Sequence, residues 1–243
     1  MKYISILLLF LSGFNKTTVK ETFEIPSKDG INLKADFYKA DNESKPLILL
    51  FHQAGYSRGE YLEIGPKLNE LGFSCLAIDQ RSGDKINGVI NESSKQAKKK
   101  KLKTQYVNAL PDLEATLAYV KGHNYAPNGV ILLGSSYSAA LIFILGAQQA
   151  DEVKGLIAFS PGEYFKYKDQ PIAAYAKDVN VPVFITSAKN EKKYWEAIYK
   201  PIKTEKKYFL PASNGYHGAK ALWEKNKGNE QYWGALEAFL NQY

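Results

Sequence analysis

Ser136 is the residue around which most of the chemistry gathers. It follows Val130-Ile131-Leu132-Leu133-Gly134-Ser135 and precedes Tyr137-Ser138-Ala139-Ala140 and the apolar run Leu141 to Leu145. Four apolar residues rich in branched side chains predict a strand buried on both faces, and the second run predicts a helix. The serine therefore stands at a strand-to-helix turn. Gly134-x-Ser136-x-Ser138 is a near match to the G-x-S-x-G nucleophile elbow, a turn so sharp that its central serine takes a strained backbone conformation and points out of the sheet edge. Such a turn brings the residues two before and two after the serine close together, so both must be small. Gly134 meets that demand, and Ser138, standing where the motif has its second glycine, is still small. Ser135 is the competing hydroxyl, but only Ser136 holds the central position.

At these residues the sequence resembles the α/β-hydrolase family, closest to its small dienelactone-hydrolase-like and esterase-like members, and the resemblance implies roles elsewhere. In the family a His-Gly type loop follows the first central strand and supplies one backbone N–H to an oxyanion hole, the other coming from the residue after the nucleophile. Here that loop is His52-Gln53-Ala54-Gly55, so the implied donors are the N–H of Tyr137 and that of Gln53 or Ala54. His52 is read as a loop-shaping residue. The family commonly places its triad acid after the penultimate strand, here in Ser187-Ala188-Lys189-Asn190-Glu191. Asn190 lies where aspartate is usual, but an amide cannot stabilise an imidazolium by charge, so the adjacent Glu191 is the expected acid. Glu163 and Asp169 are the alternatives. His217, in the loop Pro211 to Gly218, alone satisfies the Ser, acid, His chain order; His52 and His123 do not. Asp79-Gln80-Arg81-Ser82-Gly83 resembles the family's Asp-x-Arg-x-Gly turn, with Asp79 and Arg81 expected as a buried ion pair bracing the loops.

The elements that must position these residues follow in order. Lys2 and the apolar run Ile4 to Leu11 predict an export signal over residues 1–20, which makes the protein periplasmic or secreted, or retained by an uncleaved segment. The domain proper is then 21–243. Thr22 to Ile25 and Ile31 to Tyr38 predict a hairpin turning at Ser27 to Gly30, and Leu47 to Phe51 the first central strand. Glu60 to Leu71 has helical spacing and ends at Gly72. Phe73 to Ile78 is the next strand. Asp84 to Thr104, with few apolar positions, reads as a long loop over the site. A helix from Pro111 to Val120, strands at Val153 to Phe159, Val181 to Ser187 and Tyr208 to Leu210, and helices at Ala219 to Glu224 and Tyr232 to Leu240 complete the alternation. The expected fold is a single-domain α/β-hydrolase with a mostly parallel central sheet, helices on both faces and no large cap domain.

Composition sets the outer bounds. At 243 residues and 45% hydrophobic content the chain buries one substantial core. One cysteine, Cys75, excludes an internal disulfide framework, and three histidines make a multi-histidine metal site improbable. The formal charge of +7 owes much to Lys95, Lys98, Lys99, Lys100, Lys101 and Lys103. No aromatic residues are interleaved with them, so they read as a solvated segment rather than a nucleic-acid site. The implied activity is hydrolysis of a carboxylic ester or lactone through an acyl-enzyme on Ser136, with no cofactor and no metal. The other readings are a non-catalytic hydrolase-fold binding protein, or an amidase or peptidase.

Overall fold

The computed structural model describes residues 20–243. The export signal expected over residues 1–20 lies outside them, apart from Lys20 at the head of the first strand. The elements, in order, are β1 (Lys20–Pro26), β2 (Asn32–Tyr38), β3 (Leu47–Phe51), α1 (Ile64–Glu70), β4 (Cys75–Ile78), the short strands β5 (Lys85–Ile86) and β6 (Val89–Ile90), α2 (Glu92–Lys99), α3 (Leu110–Gly122), β7 (Val130–Ser135), α4 (Tyr137–Gln148), β8 (Val153–Phe159), α5 (Ile172–Ala176), β9 (Val183–Thr186), α6 (Lys192–Tyr199), β10 (Lys206–Phe209) and α7 (Asn229–Leu240).

Eight strands form one sheet in the order β1-β2-β4-β3-β7-β8-β9-β10. β1 and β2 are antiparallel to their neighbours and the strands from β4 to β10 are parallel. β3, β4 and β7 are buried along their whole length, which is why they appear as unbroken apolar runs. Alternate side chains divide the core in two. Leu49, Leu132 and Leu156 face the layer of α3, α4 and α6, while Ile48, Leu133 and Ile157 face α1 and α7. The direction of winding reverses between the adjacent strands β3 and β7. Their carboxyl ends open the crevice where ligands bind in open α/β sheets, and here they carry Gln53, Ala54 and Ser136.

Three expectations are corrected. The helix predicted over Glu60 to Leu71 begins only at Ile64; Arg58–Tyr61 is a separate 3-10 turn. Pro66 has no N–H for the Leu62 carbonyl and its ring crowds that carbonyl, so it is accommodated only in a first turn. The stretch Asp84 to Thr104 is not a long loop over the site. It holds the β5–β6 hairpin and then α2, capped by the Asn91 side chain accepting from the Ser94 N–H at 2.7 Å. α2 lies on β2 and buries Ser93, Ser94 and Ala97 while its lysines stay exposed. Asp79 and Arg81 do not pair with each other. Arg58 binds Asp79 at 2.7 Å and Asp36 at 3.1 Å, and Arg81 binds Asp112 at 2.6 Å and Asp29 at 2.6 Å.

The Arg81–Asp112 pair makes a stability prediction. Asp112 is fully buried and takes Arg81 through Nε, a terminal guanidinium nitrogen and the backbone N–H. Asp112→Ala strips the buried guanidinium of its main partner and is expected to destabilise the fold by about 3–5 kcal/mol, the cost of orphaning a buried charge. Urea unfolding monitored by tryptophan fluorescence measures it; a change under 1 kcal/mol would show that Asp29 and water suffice.

Candidate active site

Ser136 ends up at the top of the sheet because β7 and α4 leave no room for a gentler turn. Its backbone sits at φ 59°, ψ −120°, a region that L residues rarely occupy. A Cβ on Gly134 would fall 2.6 Å from the Ala139 nitrogen, so glycine is required there. Ser138, the departure from the motif, has its own use. Its buried hydroxyl donates to the His52 carbonyl at 2.6 Å and accepts from Gln80 at 2.7 Å, tying the start of α4 to the loop after β3.

The loop after β10 delivers His217 beside the serine. Its Nε2 lies 2.8 Å from the Ser136 Oγ, and its Nδ1 lies 2.6 Å from Glu191 Oε1. Glu191 projects from the 3-10 turn Lys189–Glu191 that follows β9. Its other oxygen accepts from the Ser160 hydroxyl at 2.7 Å and the Ala188 N–H at 3.1 Å. Burial raises the Glu191 carboxyl, but the hydrogen bonds from His217 and Ser160, together with the His217 charge, outweigh it and hold the group below its ordinary range. The neighbouring Asn190 is exposed.

The alternative acids lie elsewhere. Glu163 accepts the Ile172 and Ala173 N–H groups at 2.6 and 2.9 Å and so caps α5. Asp169 is exposed in a turn at φ 61°. His123 is exposed at the end of α3. His52 is fully buried and accepts at Nε2 from the Gln80 N–H at 3.0 Å. Burial pushes its pKa down to about 4, so it is neutral and shapes the loop.

Of the two N–H groups expected from the loop after β3, that of Gln53 is taken: it donates to Glu60 Oε2 at 2.8 Å, inside the protein. The N–H groups of Ala54 and Tyr137 enter no hydrogen bond among the described residues. Tyr137 opens α4, where the helix leaves its first donors unpaired.

Three residues at the site carried no signal of their own in the sequence. Ser160 accepts the Gly218 N–H at 2.9 Å while donating to Glu191, which clamps the acid to the histidine loop. Glu60 lies under the elbow, 2.8 Å from the Ser135 hydroxyl. Tyr164 donates to the Ser160 carbonyl at 2.8 Å, and its hydroxyl also faces Ser136. With Gln105, Tyr106, Val107 and Phe165, Tyr164 lines a cleft of about 340 Å³. Tyr106 stacks on Tyr137 with ring centroids 4.8 Å apart, which fixes one wall of the cleft.

No family model matches the sequence, and no curated protein matches it. Solved structures do. A dienelactone hydrolase from Anabaena variabilis superposes with a TM-score of 0.73 at 12% identity, covering 93% of this chain and 98% of that one. An esterase from Pyrococcus furiosus gives 0.71 at 19% identity, covering 93% of each chain. Est1E from Butyrivibrio proteoclasticus, with ferulic acid bound, gives 0.65 at 18% identity over 90% of this chain and 98% of that one. The eight-stranded order, the reversal between β3 and β7 and these superpositions over nearly the whole described chain establish that the protein has the α/β-hydrolase fold.

Proposed function

We propose that the protein is a serine hydrolase that cleaves carboxylic esters through an acyl-enzyme on Ser136. The observation that carries the reading is the relay from Ser136 Oγ through His217 to Glu191, with separations of 2.8 and 2.6 Å. His217 Nε2 takes the hydroxyl proton as Oγ attacks the ester carbonyl, and Glu191 holds Nδ1–H and offsets the imidazolium charge. The developing oxyanion is received by the N–H groups of Ala54 and Tyr137. His217 returns the proton to the leaving alcohol, and water then enters by the reverse route to free the acid and the serine. Ser138 and Asn190, the two departures from the family pattern, leave this relay in place. A fluorophosphonate probe should label the protein at Ser136 and fail to label Ser136→Ala; a wild-type chain that stays unlabelled would remove the proposal.

The aromatic cleft gives the reading its substrate side. Tyr106, Tyr164 and Phe165 line the cleft with flat apolar faces and the Tyr164 hydroxyl faces Ser136, which suits an ester whose acyl part is planar or apolar. The ferulic acid bound to Est1E is an aromatic acid of that kind. Phe165→Ala is expected to raise KM for an aromatic acyl ester roughly tenfold, about 1.4 kcal/mol of lost contact, and to change that of an acetyl ester less than twofold. Equal losses on both esters would place the acyl group elsewhere.

A further inference from the structure

Beneath the elbow lies a second carboxyl group that the relay does not use. Glu60 is fully buried, in the 3-10 turn that follows the loop after β3. Its side-chain oxygens meet neutral donors. Oε2 accepts the Gln53 N–H at 2.8 Å and Oε1 accepts the Ser135 hydroxyl at 2.8 Å. The Ser135 oxygen in turn accepts the Ala219 N–H at 2.8 Å. One directed chain of hydrogen bonds thus links the loop after β3, the residue before the nucleophile and the segment two residues beyond His217. Packing tightens the same three pieces. A Cβ on Gly218 would stand 2.6 Å from Ser135 Oγ and 2.7 Å from Gln53 Oε1.

Only an ionised carboxylate satisfies every link. Gln53 and Ser135 both donate toward residue 60, so both of its terminal atoms must accept. An amide offers one acceptor and one donor. Whichever way it is turned, either the Gln53 N–H faces an NH2 group or the Ser135 hydroxyl loses its acceptor. A buried carboxylate is expensive, and an apolar residue would serve packing better if packing were its only task.

We infer that Glu60 is a positioning residue for the hydrolysis proposed above: by taking the Gln53 N–H and the Ser135 hydroxyl, its carboxylate sets the oxyanion loop against the elbow and leaves the Ala54 N–H to the substrate. The inference rests on the serine-hydrolase reading. Its charge has a second effect, since it attracts the positive charge that His217 gains during proton transfer.

This arrangement is sensitive to protons. Burial pushes the Glu60 carboxyl up to about 7, against the lowering effects of the Gln53 and Ser135 hydrogen bonds and of the His217 and Lys220 charges. The other titratable groups facing it are the hydroxyls of Tyr56, Tyr61 and Tyr137, which burial keeps protonated. As pH falls through this range Glu60 gains a proton, must become a donor, and breaks the chain at one link. Activity then requires Glu60 to be free of its proton.

The test is the pH profile of kcat for a short-chain nitrophenyl ester. Glu60→Gln is expected to remove one ionisation from the wild-type acid limb while lowering kcat roughly 10–100-fold, with KM within about twofold. Ser135→Ala keeps the carboxylate but removes a hydrogen bond that lowers its pKa, so the Glu60 ionisation should persist in the limb and move to higher pH. This second variant stands if Glu60→Gln fails to fold. An acid limb that Glu60→Gln leaves unchanged, or a Glu60→Gln enzyme with unchanged kcat, overturns the inference. Fluorophosphonate labelling of Ser136 in the wild type separates that result from failure of the serine-hydrolase reading, which would also remove the inference.

Discussion

Ser136→Ala should lower kcat for ester hydrolysis on the order of 10⁶-fold, the loss seen when a triad nucleophile is deleted and only the oxyanion donors and binding contacts remain. Neither nearby serine can take over. Ser135 is buried and engaged with Glu60 and Ala219, and Ser138 is buried and engaged with His52 and Gln80. The fold should survive, because His217 keeps its bond to Glu191 without the Ser136 hydroxyl and alanine meets the same backbone strain. Steady-state kinetics with a nitrophenyl ester, beside a thermal melt, is the measurement. Retention of more than about one thousandth of the wild-type rate would place the attacking group elsewhere.

The second large effect falls on the acid. Glu191→Gln preserves size and most hydrogen-bonding capacity, but an amide that keeps the Ser160 and Ala188 bonds at its oxygen turns its NH2 toward Nδ1. The imidazole then carries its proton on the nitrogen facing Ser136 and cannot accept another, so kcat is expected to fall on the order of 10⁴-fold. The wild-type carboxyl is held below its ordinary range, so it stays ionised through the neutral region and adds no limb to the activity profile there. Its folded-state pKa is depressed, so its contribution to stability is complete above the unfolded-chain pKa and is lost as pH falls through the folded one. The melting temperature of Glu191→Gln should accordingly approach that of the wild type in acid. A kcat within tenfold of the wild type would show that another group orients His217.

What the sequence disclosed and what it withheld divide along physical lines. Strands buried on both faces announce themselves as apolar runs, so β3, β7 and β8 were legible almost to the residue, and so was the serine between β7 and α4. The spatial neighbours Glu191 and His217 were reachable only through the order that the family resemblance imposes. α2 was invisible because its buried face is made of Ser93, Ser94 and Ala97, small residues that dock on β2 without a hydrophobic signature. The partners of Asp79 and Arg81 were misread because strand alternation would set residues two apart on one face, but β4 ends at Ile78 and the turn beyond it sends the two charges to different neighbours, Arg58 and Asp112. Glu60 reads as the first residue of the helix over Glu60 to Leu71, and although Pro66 moves that helix start to Ile64, nothing in one dimension says that the residue left outside it is buried under the elbow. Tyr164 belongs to no motif; its importance comes from the turn after β8, which lays its ring beside the serine.

One consequence of the elbow reaches beyond chemistry. At φ 59°, ψ −120°, position 136 is a place where glycine would rest more comfortably than any residue with a side chain. Under the hydrolysis proposed above, mutations that merely toughen the molecule and mutations that preserve turnover pull in opposite directions at this single codon, and a population bred for heat resistance alone would be drawn toward a sturdier, silent protein.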